Sequence, residues 1–520
     1  SFCDIQITID MQTRYLIPII AITIFVSFFR LGSVTLFDVD EAVFAVAAKE
    51  MVESGNWITP TYNGENRYDK PILFYWLMAA SYKVFGINEF AARFPSALAS
   101  LLLILSVFFF VRQFRVEKDA FFAAISLVLS IYFLAYSRAA VTDMTMTLFI
   151  TLSIFSFFLS VNKKRYYIYG FYLFSALACL TKGLIGIVFP FCIAAIYILT
   201  AEGLSGIKKI FNLKGIILFL IIAAPWYIAE YIINGEDFIR QFFIKHHFER
   251  YTGVISGHKG PVYYFIPVLI IGLFPWIAFL PAGIRNVFKE KDRLSSFAFI
   301  WFASIFIFFS LSTTKLPNYL LPAIPAASIL IASGMTVQNK KWRQYSNLFM
   351  AITSVLIGII FLISKRYLSK FGIPDTDWTL AITATMMVIA IMSFYSVFTK
   401  KKLHGFMAGL MVAFLLLLVT KGLPIANQYL QGTLYKYSLY AKERLHDDEK
   451  IITYRINNPS IVFYSGHKII NVRDKDELKT FMKNGKHAIA ITKTKDVEVL
   501  KELGFNLLEK DEKYATLERK

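Results

Sequence analysis

Three carboxylates fall within four residues of the stretch FDVDEAVFAVAAKEM, residues 37–51: Asp38, Asp40 and Glu41. They follow the first long apolar block of the chain, and an ionisable group at membrane depth is costly and functional by default. Asp40 and Glu41 also open a helical stretch, where acidic side chains are favoured by the unpaired N–H groups of a helix N-terminus. Asp143 stands the same way after Thr142, at the corner SRAAVTD. Capping would explain either corner alone. Two acidic corners on one face exceed what capping needs, and a carboxylate there can take or orient the proton of an attacking hydroxyl.

The cations are as unevenly placed. Lys70 precedes Pro71 in NRYDKPILFYW; it either snorkels to anchor an interfacial helix or acts as a point charge for a phosphate at headgroup height. Asp69 beside it could pair with it or hold a metal. In KHHFERYTG, residues 245–253, adjacent histidines cannot face one ligand from a helix, which argues against a two-histidine metal site. His247 and Arg250 lie three apart and can share a face, making Arg250 a second candidate for phosphate. The stretch STTKLPNYLLPAIP, residues 312–325, sets Lys315 and Tyr319 one helical turn apart. Its three prolines are expected to kink the entering helix and open room for a ligand. Carboxylates near such cations suit a lipid-linked phosphosugar: positive charge stabilises the leaving phosphate while a carboxylate handles the acceptor's proton. No Gly-rich phosphate loop or Walker pattern calls for a nucleotide.

The elements that must position these residues are membrane helices. The 520 residues are 56% hydrophobic and 18% charged, against roughly 45–50% and about 25% in soluble domains. The apolar residues fall in blocks of the ~20 residues that cross a bilayer. The net charge of +19 resides in basic clusters between those blocks, as the positive-inside rule demands, and not in a nucleic-acid surface. Clusters at 112–118, 162–165, 208–214, 285–293, 339–343 and 400–402 are each separated by two apolar blocks, which puts them all on the cytoplasmic side. The basic stretch SKRYLSK breaks this pattern. Working back from the first cluster, segment 71–86 with Tyr75, Trp76 and Tyr82 is expected to lie on the membrane as an interfacial helix. That leaves about thirteen spans, the N-terminus inside, and both acidic corners, the loop 234–262 and the 312–318 corner on the outer face. Cys3, Cys179 and Cys192 offer neither a disulfide framework nor metal spacing. SFCDIQITID precedes Met11 and is set aside; the first apolar block has no small-residue cleavage site and is read as a retained helix.

After Lys421 the chain turns polar. KIITY, SIVFY and HAIAIT read as strands, DELKTFMKNG and DVEVLKELG as helices, which predicts a small α/β domain over 422–520 outside the membrane. Residues 1–421 form the transmembrane domain. The simplest reading of the smaller domain is a cap without chemistry.

The segments DEAVFAVAAKEM, RYDKPILFYWLMAASYKVFGINEFAARFPSAL, SRAAVTDM, LTKGLIGIVFP, HHFERYTG, PVYYFIPVLIIGLFPWIAFLP and STTKLPNYLLPAIP occur in that order over roughly residues 15–335. Together they resemble the bacterial lipid A aminoarabinose transferases, which stand with the protein O-mannosyltransferases in the GT-C class. The C-terminal hundred residues resemble the family loosely, in NNPSIVFYSG. The resemblance implies a GT-C fold and an undecaprenyl-phosphate sugar donor. It implies inverting transfer to lipid A, another envelope glycan or a protein, at the periplasmic face of the bacterial inner membrane. By motif match Asp40, with Glu41 beside it, and Asp143 are the catalytic carboxylates. Lys70 holds the lipid phosphate with help from Arg250, and Tyr319 and Lys315 line the substrate. A divalent metal is implied at Asp69 with a nearby histidine, here His247. Asp69 stands where glutamate is common, and Ile72 where a second proline is common.

A protein O-mannosyltransferase-like enzyme is the nearest alternative, although no peptide groove is announced. A polyprenyl-linked sugar flippase would show an internal repeat and charged or broken helices at mid-membrane; the sequence shows no repeat. The expected partners are the lipid-linked donor, the acceptor and membrane lipids, with no nucleic acid and a monomeric chain.

Overall fold

The structure is a computed structural model and describes residues 2–242, 260–337, 339–370, 373, 376–399, 401, 403–446, 449–482 and 487–519. Among them, nine helices are long and apolar enough to cross a membrane, eleven if each of two bent pairs is one span. Every apolar block read as a span is helical. Arg14–Phe28 and Ile168–Lys182 are the short members, the latter with 15 residues. The 71–86 segment is a helix of 13 residues, Leu73–Phe85, about 20 Å long at 1.5 Å per residue and too short to span.

Contacts divide the chain into two units whose membership cuts across the linear division at 421/422. The first comprises residues 1–30, 68–74 and 95–421; the second comprises 31–67, 75–94 and 422–520.

In the first unit the buried helices are Thr142–Asn162 and Pro317–Met335, with 83% and 89% of their apolar windows inside the protein. Leu213–Phe242, at 17%, has the smallest buried share among the nine described spans. The central helix can afford small polar residues: Ser153 Oγ lies 2.8 Å from Ser175 Oγ of Ile168–Lys182, tying the two together. Helices Leu280–Glu290 and Ile324–Met335 meet backbone to backbone. A Cβ on Gly283 would stand 1.9 Å from Leu330 O, and one on Gly334 2.0 Å from Phe279 O. Two expected spans are bent. Glu117–Val128 turns by 64° into Ile131–Ser137, where Ser130 accepts the Phe133 N–H as a new N-cap. Val262–Gly272 turns by 112° into Trp276–Glu290 at Phe274-Pro275. The proline-rich corner is also not a kinked α-helix. Pro317–Ala323 is a 3-10 segment leading into Ile324–Met335, because Pro322 cannot donate to an α-helical ladder.

The second unit is built on a five-stranded sheet. In spatial order its strands are Ile469–Val472, Ile451–Tyr454, Ala488–Lys493, Tyr514–Arg519 and Asn506–Lys510. The first three are mutually parallel and the last two pair antiparallel. KIITY and HAIAIT are strands as read, but SIVFY is not: Pro459–Ser465 is a helix. Pro459 sits at its first position and Gly466, at φ 75°, closes it, and these end signals override the β-branched composition. One apolar cluster joins Val46 of the helix Asp40–Ser54, Leu434, Tyr437 and Ala441 of Leu423–Arg444, and Ile451, Ile461, Ile469 and Ile489. The acidic-loop helix and the C-terminal sheet therefore share one core.

Candidate functional site

The second unit holds the acidic loop. Residues 31–39 connect to the helix Asp40–Ser54, whose first turn carries Asp40 and Glu41. Glu41 is 6% exposed and Arg93, from the start of Glu89–Arg112, is 2% exposed. Arg93 Nε donates to Glu41 Oε1 at 3.0 Å and Nη2 to Oε2 at 2.8 Å, and Oε2 also accepts the Phe37 N–H at 2.9 Å. The same guanidinium donates to the carbonyls of Leu31, Val34 and Thr35 at 3.1, 2.8 and 3.0 Å. This fork needs a planar five-donor group, which only arginine supplies. Both oxygens of Glu41 thus fasten the loop.

Asp38 is held from the other side. Its Oδ1 accepts the Ser460 N–H at 2.8 Å, and its Oδ2 accepts the Ser460 hydroxyl at 2.5 Å and Asn458 Nδ2 at 3.0 Å. Gln431, in the amide orientation that satisfies both groups, donates to Asp38 Oδ2 and accepts from Asp38 N, each at 3.0 Å. Burial pushes the Asp38 carboxyl above its ordinary range, against the pull of the Ser460 and Asn458 donors. Thr35 bonds Asn427 through its hydroxyl at 2.9 Å, and the Tyr464 hydroxyl accepts the Leu36 N–H at 2.7 Å. Asp40, between these anchored neighbours, is exposed, and its carboxylate has no hydrogen-bond partner among the described residues.

The first unit holds the second acidic corner. Asp143, 3% exposed, opens Thr142–Asn162. Its Oδ1 accepts from Lys182 Nζ at 2.6 Å and from Asn318 Nδ2 at 3.0 Å. Lys182 ends Ile168–Lys182, and Asn318 lies in the segment Pro317–Ala323. A charge of this depth is tolerated because it is paired and hydrogen-bonded. Asp143 is the described partner of Lys182, so two of the three ammonium donors remain for a ligand oxygen.

Lys315 is engaged by backbone carbonyls. Its ammonium, 4% exposed, donates to the carbonyls of Phe309, Ser310 and Ser312 at 3.0, 2.7 and 2.5 Å. All three donors go to the open end of the helix Arg293–Leu311. Tyr319 is half-buried with its ring 4.8 Å from Phe309. Lys70 and Asp69 are half-buried in the first unit, and Lys70 Nζ donates to the Asp69 carbonyl at 3.1 Å. Arg250 and His247 lie outside the described residues. Among the described residues no group of three or more His, Cys, Asp or Glu could hold a metal ion.

Sequence reasoning missed Lys182, Asn318, Arg93 and Arg138. The last donates to the carbonyls of Val26, Phe29 and Arg30 at 3.1, 2.8 and 3.0 Å, closing the end of the first helix, Phe2–Phe28. A lysine in an apolar run, as in LTKGLIGIVFP, and an arginine inside AARFPSAL were the available signals, since charges in such runs seek partners.

Residues 69–228 match the family model of dolichyl-phosphate-mannose-protein mannosyltransferases. The undecaprenyl phosphate-alpha-4-amino-4-deoxy-L-arabinose arabinosyl transferase 1 of Proteus mirabilis is 31% identical over 402 residues, covering 74% of this chain and 71% of that protein. An uncharacterized protein of Aquifex aeolicus is 31% identical over 352 residues, covering 66% of this chain and 69% of its own length. Among solved structures, ArnT from Cupriavidus metallidurans bound to undecaprenyl phosphate superposes with a TM-score of 0.82 at 22% identity, over 97% of this chain and 98% of that one. The Archaeoglobus fulgidus oligosaccharyltransferase reaches a TM-score of 0.51 at 12% identity, over 94% of this chain and 70% of that one. The overall GT-C fold is therefore the one expected.

Proposed function

The chain belongs to the family of the bacterial undecaprenyl-phosphate aminoarabinose transferases, multi-pass membrane glycosyltransferases, and from that premise we propose that it moves aminoarabinose, or a closely related sugar, from undecaprenyl phosphate to lipid A. The transfer occurs at the periplasmic face of the bacterial inner membrane. Residues 1–421 supply the membrane-embedded body, and 422–520 lie on the periplasmic side.

The reaction is a displacement at the anomeric carbon. An acceptor oxygen attacks opposite the phosphate, the bond from that carbon to the phosphate oxygen breaks, and undecaprenyl phosphate leaves with the electron pair. The proton of the attacking oxygen passes to the Asp40 carboxylate. One observation carries this assignment: of the three carboxylates in the acidic loop, Asp38 and Glu41 are bound on both oxygens, while Asp40 is exposed and engages no described residue. Lys182, oriented by Asp143, offers donors to the developing phosphate charge. Lys70 and Arg250 share that role and Tyr319 borders the sugar. Glu41 and Lys315 position the polypeptide and do not touch substrate.

The test is transfer by the purified full chain in lipid nanodiscs, with undecaprenyl-phosphate aminoarabinose as donor and lipid A as acceptor, followed by mass spectrometry of lipid A. Asp40→Asn should lower turnover by about 10²–10⁴-fold, the range for loss of a general base, with an unchanged melting temperature. Parent-like turnover in Asp40→Asn removes Asp40 from the chemistry; no mass gain with the parent protein removes the donor–acceptor pair.

A further inference from the structure

The stretch NNPSIVFYSG, residues 457–466, belongs to the part of the chain read as a cap, yet it reaches into the acidic loop. Three donors from two of its residues converge on one carboxylate: the Ser460 N–H and hydroxyl and the Asn458 amide, all on Asp38. The contact depends on local fold. Asn458 precedes the helix Pro459–Ser465, and the Ser460 N–H lies in its first turn, where backbone N–H groups lack intrahelical acceptors. Asp38 supplies that acceptor from more than four hundred positions away in sequence, as a helix would otherwise recruit from its own cap. Two flanking bonds repeat the theme, Asn427 to Thr35 and Tyr464 to Leu36 N. The helix itself is fixed by Ile461 and Val462, which enter the same apolar cluster as Val46 of the acidic-loop helix.

We propose that Asp38 is a positioning residue, and that the Asn458–Ser460 turn of the C-terminal region is the latch that closes on it and sets where Asp40 stands. The proposal rests on the assignment of Asp40 above. Asp40 follows Asp38 by two residues, and the only intervening residue, Val39, is 51% exposed and packs into no core. On the far side Glu41 is tied to Arg93. Asp40 is therefore bracketed between two anchored carboxylates: one held by the arginine of a membrane helix, the other by a turn near the C-terminus. Only the second anchor can be weakened without disturbing a buried ion pair. The C-terminal region is in this account part of the site, although none of its residues touches substrate.

The experiment uses the full chain in nanodiscs with two readouts, one independent of any substrate. A nitroxide on Val39→Cys, in a background with the native cysteines replaced, reports loop mobility by electron paramagnetic resonance. Ser460→Ala and Asp38→Asn should mobilise the label, while Ser460→Thr, which keeps the hydroxyl, should restore the parent line shape. In the transfer assay Ser460→Ala should lower kcat roughly tenfold to a hundredfold, the cost of misplacing a catalytic group by about 1 Å, with KM for the donor unchanged and Ser460→Thr rescuing. Thermal melts identify any variant that has lost its fold, and the spectrum of Ser460→Thr then decides. An immobile label in both Ser460→Ala and Asp38→Asn overturns the latch, as does full kcat in Ser460→Ala when Asp40→Asn is inactive. If Asp40→Asn turns over normally while the label is mobilised, the catalytic assignment fails and the latch stands as a structural device only.

Discussion

Replacing Glu41 by Gln changes the charge of one buried group and almost nothing of its shape. Arg93 and Glu41 are 2% and 6% exposed, so neither can replace its partner with water. The variant takes from the guanidinium its bidentate anionic partner, and breaking a buried pair by removing one member costs about 3–5 kcal/mol. The Gln carbonyl can still accept one of the two Arg93 bonds, which places Glu41→Gln near the lower end, about 3 kcal/mol. Arg93→Met is worse. It strands the Glu41 carboxylate and removes the donors to Leu31, Val34 and Thr35; the Thr35 carbonyl keeps Asn427 Nδ2 as a donor at 2.9 Å, and each carbonyl left unsatisfied adds about 1–3 kcal/mol where water cannot reach it. The double variant removes both charges and should lie well above the sum of the two singles, with a coupling of about 2–3 kcal/mol. Against a total stability of about 5–15 kcal/mol, these are large effects. Denaturant unfolding of the full chain in detergent gives the global value, and hydrogen exchange over residues 31–44 gives the local one. If Glu41→Gln lies within about 0.5 kcal/mol of the parent, the range of an ordinary surface change, and exchange over that segment is unaltered, the pair does not hold the loop.

Lys182→Met should abolish transfer and also destabilise the first unit by about 3–5 kcal/mol, because Asp143 is left buried without its cation; Lys182→Met/Asp143→Leu should recover the stability but not the activity, as read by melting and lipid A mass. Gly283→Ala should lower the melting temperature of the full chain, since the new methyl would sit 1.9 Å from Leu330 O and two helices must separate. His487 lies between Glu449 and Glu518 at 3.1 and 3.2 Å; burial works against its charge, but the two carboxylates prevail and raise its pKa above 6.5. The N–H of His446, and then His487, hold Glu449 below its ordinary 4.5 against the effect of burial. The histidine's contribution to stability is full below pH 6.5 and fades as pH rises through its raised value. That of Glu449 is full above pH 4.5 and fades on acidification. Protection of the sheet amides, corrected for intrinsic exchange, should therefore be greatest between pH 4.5 and 6.5, and His487→Asn should flatten the alkaline side; a loss that persists in His487→Asn refutes the assignment.

The membrane helices were legible because span length and apolar content follow directly from bilayer thickness, and the loops between them from clustered lysine and arginine. The SRAAVTD corner announced itself by polar residues at a helix end, and the strands at 451–454 and 488–493 by alternation. What sequence could not give was the partner of each charge. Glu41 and Arg93 are 52 positions apart, Asp143 and Lys182 39 apart, and no local periodicity links either pair. Lys315 reads as a substrate-lining residue because its charge is visible in the sequence and the three carbonyls that accept from it are not; backbone acceptors carry no sequence signature. SIVFY misled for a related reason, since a run of β-branched and aromatic residues fits either element until its end signals are weighed.

The unit that carries the acidic loop is stitched from residues 31–67, 75–94 and 422–520. During synthesis the first two pieces leave the ribosome long before the third exists. Until the closing strand Tyr514–Arg519 has been made, the sheet that shares a core with the helix Asp40–Ser54 is incomplete. A truncated or stalled product would insert its helices and still lack an ordered acidic loop. Order in the acidic loop is thus bound to a strand that is made long after the loop itself.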